Sequence, residues 1–145
     1  MRFYLLIFLF WMGTNARAQT ILDWSDLSKG ISWEPYTAEA ISPRFQKAAF
    51  SSKMEATEGA EVILTGYFLV LDGSQSIYML SKNPWASCFF CGNGGPETVV
   101  GLQFPEKPSF SMDDLLSVKG ILRLNRENPE QFYYLIEKAD ALSLE

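Results

Sequence analysis

Residues 61–82 read EVILTGYFLVLDGSQSIYMLSK, and this stretch decides the fold. Its first part, Glu61–Leu71, is rich in β-branched and aromatic residues, which favour extended strands. Gly66 interrupts that part, and a glycine inside a strand typically marks a bulge or a sharp bend. The sequence Asp72–Gln75 has the composition of a turn, so Glu61–Leu71 and Ser76–Lys82 are predicted to pair as a hairpin.

Three more strands are predicted beyond the hairpin, because runs of apolar and β-branched residues there are bounded by turn formers. They are Thr98–Phe104, Ser117–Leu124 and Phe132–Leu142. Between the first two, Ser111 is followed three residues later by Asp114, which is the spacing of a capped helix start. A short helix reaching about Leu116 is therefore expected.

The predicted fold class is all-β with one short helix, namely a small five-stranded OB-fold-like Greek-key barrel. Gly66 and Gly120, in the first and fourth strands, supply the bends that closure requires. Closing the sheet removes most of its exposed edges. A lipocalin-like barrel or a sandwich is the alternative, and it is disfavoured because only about five strands can be counted.

The residues before the barrel predict two further segments. Residues 1–18 have the pattern of a signal peptide: Arg2, the apolar run Phe3–Met12, and an Ala-Arg-Ala cleavage site at 16–18. The mature chain then begins at Gln19 and is exported, periplasmic or secreted, without membrane insertion after cleavage. Residues 19–60 are predicted to be an irregular N-terminal arm that packs aromatic side chains on the barrel domain, 61–145.

A helical turn is expected inside that arm at Trp24, capped by Asp23 or Ser25, before Pro35 and Pro43 break the pattern. About 127 residues remain after cleavage, which is enough for one core and one domain.

Charge and composition exclude several classes of function. Residues 1–18 hold two bases and no acid, so cleavage moves the formal charge from −5 to −7. An acidic chain with scattered bases argues against nucleic-acid binding. The chain has no histidine, which excludes Ser-His-Asp and Cys-His catalysis and removes the commonest metal ligand.

The candidate functional segment is residues 83–97, NPWASCFFCGNGGPE, which holds both cysteines of the chain. Aromatic residues and turn formers coincide there, as is typical of a loop that presents a contact surface. The candidate contact residues are Trp85, Cys88, Phe89, Phe90, Cys91 and Glu97.

Two structural roles are open for the cysteines. In an oxidising compartment Cys88 and Cys91 are expected to form a disulfide, although a four-residue loop gains only about 1.9 kcal/mol, against about 3 kcal/mol for fifteen residues. Alternatively, the two thiolates bind a soft ion, Zn²⁺ or Cu(I), with Glu97, another acid, water or a second chain completing the shell. A lone C-x-x-C is a weak metal signal.

Two other interpretations concern reactivity and contact. Thiol–disulfide exchange by Cys88 and Cys91 is disfavoured, because Gly92–Pro96 prevents the helix that would lower a thiol pKa. The three aromatic residues either plug the barrel end, which we favour, or form an exposed apolar patch for a protein partner. Asp113 and Asp114 are expected to be capping, solvated charges.

Several motifs together resemble a family of uncharacterised secreted bacterial proteins with an OB-like barrel. They are WSDL at 24–27, GAEVILTGYFLVLD at 59–72, NPWASCFFCG at 83–92, VKGILRLN at 118–125 and FYYLIEKAD at 132–140. The resemblance implies a link to envelope metal handling or transport. Relatives often carry Cys-x-His in the loop, whereas this chain has Cys88 and Cys91 and no histidine.

The functional hypothesis is an exported, non-enzymatic binding or adaptor module that acts through the Cys88–Glu97 loop. Its partner is expected to be an envelope protein or a small ligand, with soft-metal binding by Cys88 and Cys91 as a variant. The alternative is a thiol–disulfide oxidoreductase that uses the same pair.

Overall fold

The computed structural model describes residues 19–34, 46–88 and 92–144. The predicted leader, 1–18, lies outside the described residues, as do 35–45, 89–91 and 145. Two α-helices are described, α1 (Trp24–Gly30) and α2 (Ser52–Thr57). The strands are β1 (Thr20–Ile21), β2 (Ile31–Trp33), β3 (Ala48–Phe50), β4 (Glu61–Asp72), β5 (Ile77–Ser81), β6 (Val99–Leu102), β7 (Leu115–Leu124) and β8 (Tyr134–Ser143).

Five of these strands close into a barrel in the order β4-β5-β6-β8-β7, and β7 returns to pair with β4. Neighbouring strands are antiparallel except β6 and β8, which run parallel. The parallel pair arises because the chain leaves β6, forms β7 on the far side, and returns between them as β8. The predicted class, a small all-β barrel of five strands, is confirmed.

The predicted strands match the observed ones closely. β4 and β5 agree with the predicted hairpin to within one residue at each end. β6 ends two residues earlier than predicted, β7 begins two residues earlier, and β8 begins two residues later. Alternate side chains of these strands fill the barrel, as in β7, where Leu116, Val118 and Leu122 are buried.

The barrel has two ends that are closed differently. β4, β6 and β8 begin at one end and finish at the other, whereas β5 and β7 run in the opposite direction. We call the first the α1 end, because α1 and its neighbours cover it. We call the second the aromatic end, because Phe68, Tyr78, Phe104 and Phe110 contact one another there.

The helix predicted between the third and fourth strands was wrong. Ser111–Asp114 forms a turn, and Leu115 already belongs to β7. One hydrogen bond of the predicted capping box is present, since the Ser111 N–H donates to the Asp114 carboxylate at 2.8 Å. Asp113, however, has a φ of 68°, which is left-handed and cannot continue a right-handed helix. The described helices lie before the barrel instead.

The described parts of the N-terminal segment, 19–34 and 46–60, are more regular than the sequence indicates. They contain both helices and the small β2–β3 pair. Their buried side chains join the barrel core, and they are Leu22, Leu27, Ala48, Phe50 and Met54. At the α1 end, the Tyr134 hydroxyl donates to the Leu27 carbonyl at 2.8 Å. This segment therefore closes the α1 end.

Gly66 allows this segment to approach β4. A Cβ at position 66 would lie 2.6 Å from the Ser81 carbonyl oxygen and 2.8 Å from the Trp24 ring. The Trp24 indole N–H donates to the Thr65 carbonyl at 2.8 Å, and β1 pairs in parallel with β4 at Val62 and Ile63. The absent side chain thus makes room for Trp24 against the barrel wall.

The cap of α1 gives a stability prediction that depends on pH. The Asp23 carboxylate accepts hydrogen bonds from the backbone N–H groups of Ser25 and Asp26, and the Asp23 N–H donates to the Asp26 carboxylate. A hydrogen bond with the Ser25 side chain, and next the Asp26 backbone, hold the pKa of Asp23 below its ordinary 3.8. A lowered folded pKa stabilises the fold above the ordinary pKa, and this stabilisation is lost as the pH falls through the folded pKa.

We therefore expect Asp23→Ala to lower the melting temperature at pH 7, and the difference from wild type to shrink as the pH falls below 3.8. Asp23→Asn is the matched control, because asparagine caps about as well as aspartate. Thermal unfolding of the three proteins across this pH range tests the cap. An Asp23→Ala deficit that is equally large in acid contradicts the assigned charge dependence.

Candidate functional site

The candidate segment connects β5 to β6, and we call residues 83–98 the cysteine loop. Ser81 pairs with Val99, and the Lys82 N–H donates to the Thr98 carbonyl at 3.0 Å, so the loop is closed at its base. A 3-10 turn, Trp85–Ser87, follows Pro84, and a second, Pro96–Thr98, precedes β6. The expected position between the second and third barrel strands is confirmed.

Cys88 holds this loop against the outer face of the barrel. Its side chain is completely buried in a small apolar cluster with Leu69, Met79 and Val99. These three residues alternate along their strands with residues that point into the barrel core. Phe132 packs against the same cluster. Cys88 therefore acts as an apolar anchor, and its thiol is shielded from solvent.

Trp85 is fixed by its backbone while part of its side chain stays exposed. Its N–H donates to the Asp113 carboxylate at 2.7 Å. The Asp113 N–H in turn donates to the Phe68 carbonyl at 2.8 Å, which ties the turn at 113 to β4. Trp85 is 40% exposed. Phe89 and Phe90 lie outside the described residues, so the expectation that the three aromatic residues plug the barrel end stays a prediction.

Glu97 lies toward the α1 end. Its carboxylate folds over Gly95, where an added Cβ would lie 2.1 Å from a carboxylate oxygen. Burial, and to a lesser degree the negative charge of Glu97, raise the pKa of Tyr134, whose hydroxyl is bonded to Leu27. The Thr98 hydroxyl donates to the Gly95 carbonyl at 2.7 Å and braces the same turn. Glu97 is thus a half-buried carboxylate beside the core of the barrel.

Three of the predicted site residues, Phe89, Phe90 and Cys91, lie outside the described residues. The disulfide and the two-thiolate metal site both require Cys91, so both stay predictions. Within 19–34, 46–88 and 92–144, no three His, Cys, Asp or Glu residues are grouped to hold a metal ion. A buried thiol in apolar surroundings is typically inert, so the position of Cys88 does not favour the oxidoreductase alternative.

The cysteine loop also covers the surface that OB-folds commonly use. OB-folds bind oligonucleotides and oligosaccharides on the face of their second and third strands. Here the corresponding strands are β5 and β6, whose outward residues Met79 and Val99 are buried together with Cys88. Single-stranded nucleic acid needs an open, basic groove with aromatic platforms. This face is covered by apolar packing instead.

No helix in the described part of the chain is long and apolar enough to cross a membrane.

Asp113 was expected to be a solvated cap, whereas its carboxylate accepts the Trp85 N–H and its own N–H donates to Phe68. The sequence nevertheless indicated that the outer face of β4 and β5 is covered. Phe68-Leu69-Val70 and Tyr78-Met79-Leu80 are apolar without interruption, and strands buried on both faces read in this way. Such runs indicate that a segment outside the barrel must cover β4 and β5.

Comparison with known proteins supports the fold. Neither a protein-family model nor a curated protein matches the sequence. The fold is similar to the crystal structure of a DUF3299 family protein, a domain family of unknown function, from Pseudomonas aeruginosa PAO1. The match has a TM-score of 0.57 and 17% identity, and it covers 88% of this chain and 99% of that chain. At this identity the likeness concerns the fold alone.

Proposed function

We propose that this protein is an exported, non-enzymatic binding module whose cysteine loop makes the contact with an envelope protein. We further propose that it is a distant relative of the DUF3299 fold neighbour. The observation that carries the functional proposal is the way the loop is held. Cys88 is buried against the barrel while Trp85, three residues earlier, keeps 40% of its surface exposed.

The loop is fixed at three places, which reduces the entropy lost on binding. Its base is closed by the Lys82–Thr98 hydrogen bond, its centre by burial of Cys88, and its first turn by the bond from Trp85 to Asp113. Pre-organised loops bind more tightly because little further ordering is needed. Tryptophan is among the residues most enriched at the centres of protein interfaces.

The chemistry of Cys88 supports a structural role better than a catalytic one. A thiolate at this position would be a charge surrounded by Leu69, Met79 and Val99, and burying an unpaired charge is costly. A soft ion bound by Cys88 and Cys91 would have to enter this apolar cluster or draw Cys88 out of it. We therefore place the protein contact first and the metal variant second.

Site-specific photo-crosslinking tests the protein contact. A photoreactive benzoylphenylalanine replaces Trp85, and a matched variant carries it at Glu127, an exposed position in the β7–β8 turn. Both are expressed with their own leader in a bacterial envelope. We expect a discrete crosslinked product from position 85 and none from position 127. The proposal fails if neither position crosslinks or if both give the same products.

Native mass spectrometry of the reduced protein tests the metal variant. The reduced chain is incubated with Zn²⁺ or Cu(I), with Cys88→Ala as the control that preserves the apolar cluster. One retained ion in wild type and none in Cys88→Ala would favour metal binding as the role of Cys88 and Cys91. If neither protein retains an ion, the metal-binding hypothesis is rejected, and the crosslinking experiment alone decides the protein contact.

A further inference from the structure

The aromatic end of the barrel is lined by four rings. Tyr78 stacks on Phe68 with ring centroids 5.7 Å apart, and Phe104 meets Tyr78 edge-on at 6.0 Å. Phe110 contacts Phe68 at 5.8 Å and Phe104 at 6.4 Å. Edge-on and stacked geometries of this kind are favourable, and an added aromatic ring can join them.

The Tyr78 hydroxyl is the unusual group at this end. Tyr78 is only 6% exposed, and its hydroxyl is buried without a hydrogen-bond partner among the residues that the structure describes. Tyr133 and Tyr134 are also buried, yet their hydroxyls donate to the carbonyls of Gln46 and Leu27. Burying an unsatisfied hydroxyl is costly, and phenylalanine would supply the same ring packing without that cost. The group is therefore available to a bound molecule.

The segment that closes the aromatic end is hydrogen-bonded to the barrel at Gln103 and at Asp113 and Asp114, and its two rings lie between these points. Residues 103–114 contain neither helix nor strand, and they include Pro105 and Pro108. Phe104 and Phe110, the rings that this segment contributes, are only half-buried. A rotation of either ring toward solvent therefore breaks no regular hydrogen-bond ladder. Ligand sites occur preferentially in the mouths of β-barrels, which is where these rings lie.

Exposed apolar side chains surround the same end. Ile77 begins β5 and faces Asp72 at the end of β4, while Leu144 donates its N–H to Leu115 at the start of β7. These strand ends carry most of the large exposed hydrophobic residues in the described ranges, namely Leu71, Ile77, Met112, Leu142 and Leu144. An apolar rim around a mouth with one buried polar group is the usual composition of a small-molecule site.

We propose that the aromatic end binds a small, neutral, single-ring aromatic molecule that carries an oxygen acceptor, bonded to the Tyr78 hydroxyl. The ring of the ligand takes a position next to Phe68, Phe104 and Phe110. A neutral ligand is specified because the ring contacts that line the site are apolar, and a charge buried among them would have no partner. This site is distinct from the cysteine loop and does not depend on its function.

Titration with an isosteric pair of ligands tests this site. Acetophenone carries a carbonyl acceptor, and α-methylstyrene has the same shape without it. Chemical shifts in ¹H–¹⁵N spectra of the whole protein are followed for wild type, Tyr78→Phe and Tyr67→Phe. The last is the matched control, because Tyr67 lies one residue before Phe68 and its side chain is on the opposite face of β4.

We expect saturable binding of acetophenone to wild type, about tenfold tighter than α-methylstyrene. Tyr78→Phe keeps the ring, so it should fold, bind both ligands and lose the preference to within about twofold. Tyr67→Phe should keep the full preference. The proposal is overturned if wild type shows no saturable binding, or if Tyr78→Phe retains the preference. It is also overturned if an ordered water on the Tyr78 hydroxyl persists in crystals soaked with acetophenone.

Discussion

Phe68→Ala is expected to lower the free energy of unfolding by about 4 kcal/mol, the largest loss we expect from a single side chain in this barrel. The ring is 1% exposed and contacts Tyr78, Phe104 and Phe110. Its removal takes apolar area from the core and leaves a space at the aromatic end that the barrel wall cannot refill. Urea unfolding followed by circular dichroism measures the change as a shift in midpoint.

Two controls distinguish lost packing from a general intolerance of substitution. Phe68→Leu retains most of the volume and is expected to lose clearly less stability, about 1.5 kcal/mol. Ile21→Ala removes a side chain that is 78% exposed and should change stability by less than about 0.5 kcal/mol. A loss below about 1 kcal/mol for Phe68→Ala would contradict the packing of the four rings.

Gly120→Ala is expected to destabilise the barrel by about 3 kcal/mol, through overlap rather than lost contact. An added Cβ would lie 2.5 Å from the Ile136 side chain and 2.6 Å from the Glu137 carbonyl oxygen. The carbonyl belongs to the backbone of β8, so it cannot move without disturbing the β7–β8 ladder. The register of that ladder shifts between Lys119 and Ile121, where β8 carries one extra residue.

Gly73→Ala is the matched control for Gly120→Ala. A Cβ at position 73 would have Val70 as its nearest neighbour at 3.6 Å, which is an ordinary contact. We expect Gly73→Ala to change stability by less than about 0.5 kcal/mol in the same urea experiment. Equal losses of unfolding free energy in Gly120→Ala and Gly73→Ala would show that crowding at Gly120 does not cause the destabilisation.

The strands could be predicted because their signal is local. Residues 61–82 predict a hairpin because strand-forming residues lie on both sides of a turn. In the structure, Asp72 accepts hydrogen bonds from Ser74 and Gln75 in that turn. Gly66 and Gly120 were predicted to supply bends, and in the structure a Cβ at either position would meet a backbone carbonyl oxygen, that of Ser81 or of Glu137. The predicted succession of five strands along the chain was then compatible with only a few barrel topologies.

The predicted helix near Ser111 failed because the same residues serve a different local structure. The spacing of Ser111 and Asp114 fits a cap, and the sequence does not show that Asp113 adopts a left-handed conformation. That conformation is required by partners distant in the chain, since Asp113 bonds Trp85 and Phe68. Tertiary contacts of this kind override a local cap signal of modest energy.

The candidate segment lies in a loop between two barrel strands, as predicted, but which of its side chains is buried could not be read from the residues. Cysteine and tryptophan in one segment indicate a contact region and do not say which one is buried. The structure buries Cys88 and leaves Trp85 partly exposed. The deciding factor is the outer face of β4 and β5, where Leu69 and Met79 need a cover. This face exists only once the barrel has closed.

The hydrogen bond from Tyr134 to Leu27 has a consequence for the order of folding. The two residues are 107 positions apart, so α1, which is synthesised early, is hydrogen-bonded by β8, which is synthesised near the end. Contacts between distant positions form slowly, because the entropy of closing the intervening chain must be overcome first. We infer that α1 docks late in folding, and that a chain stalled before β8 keeps its α1 end open.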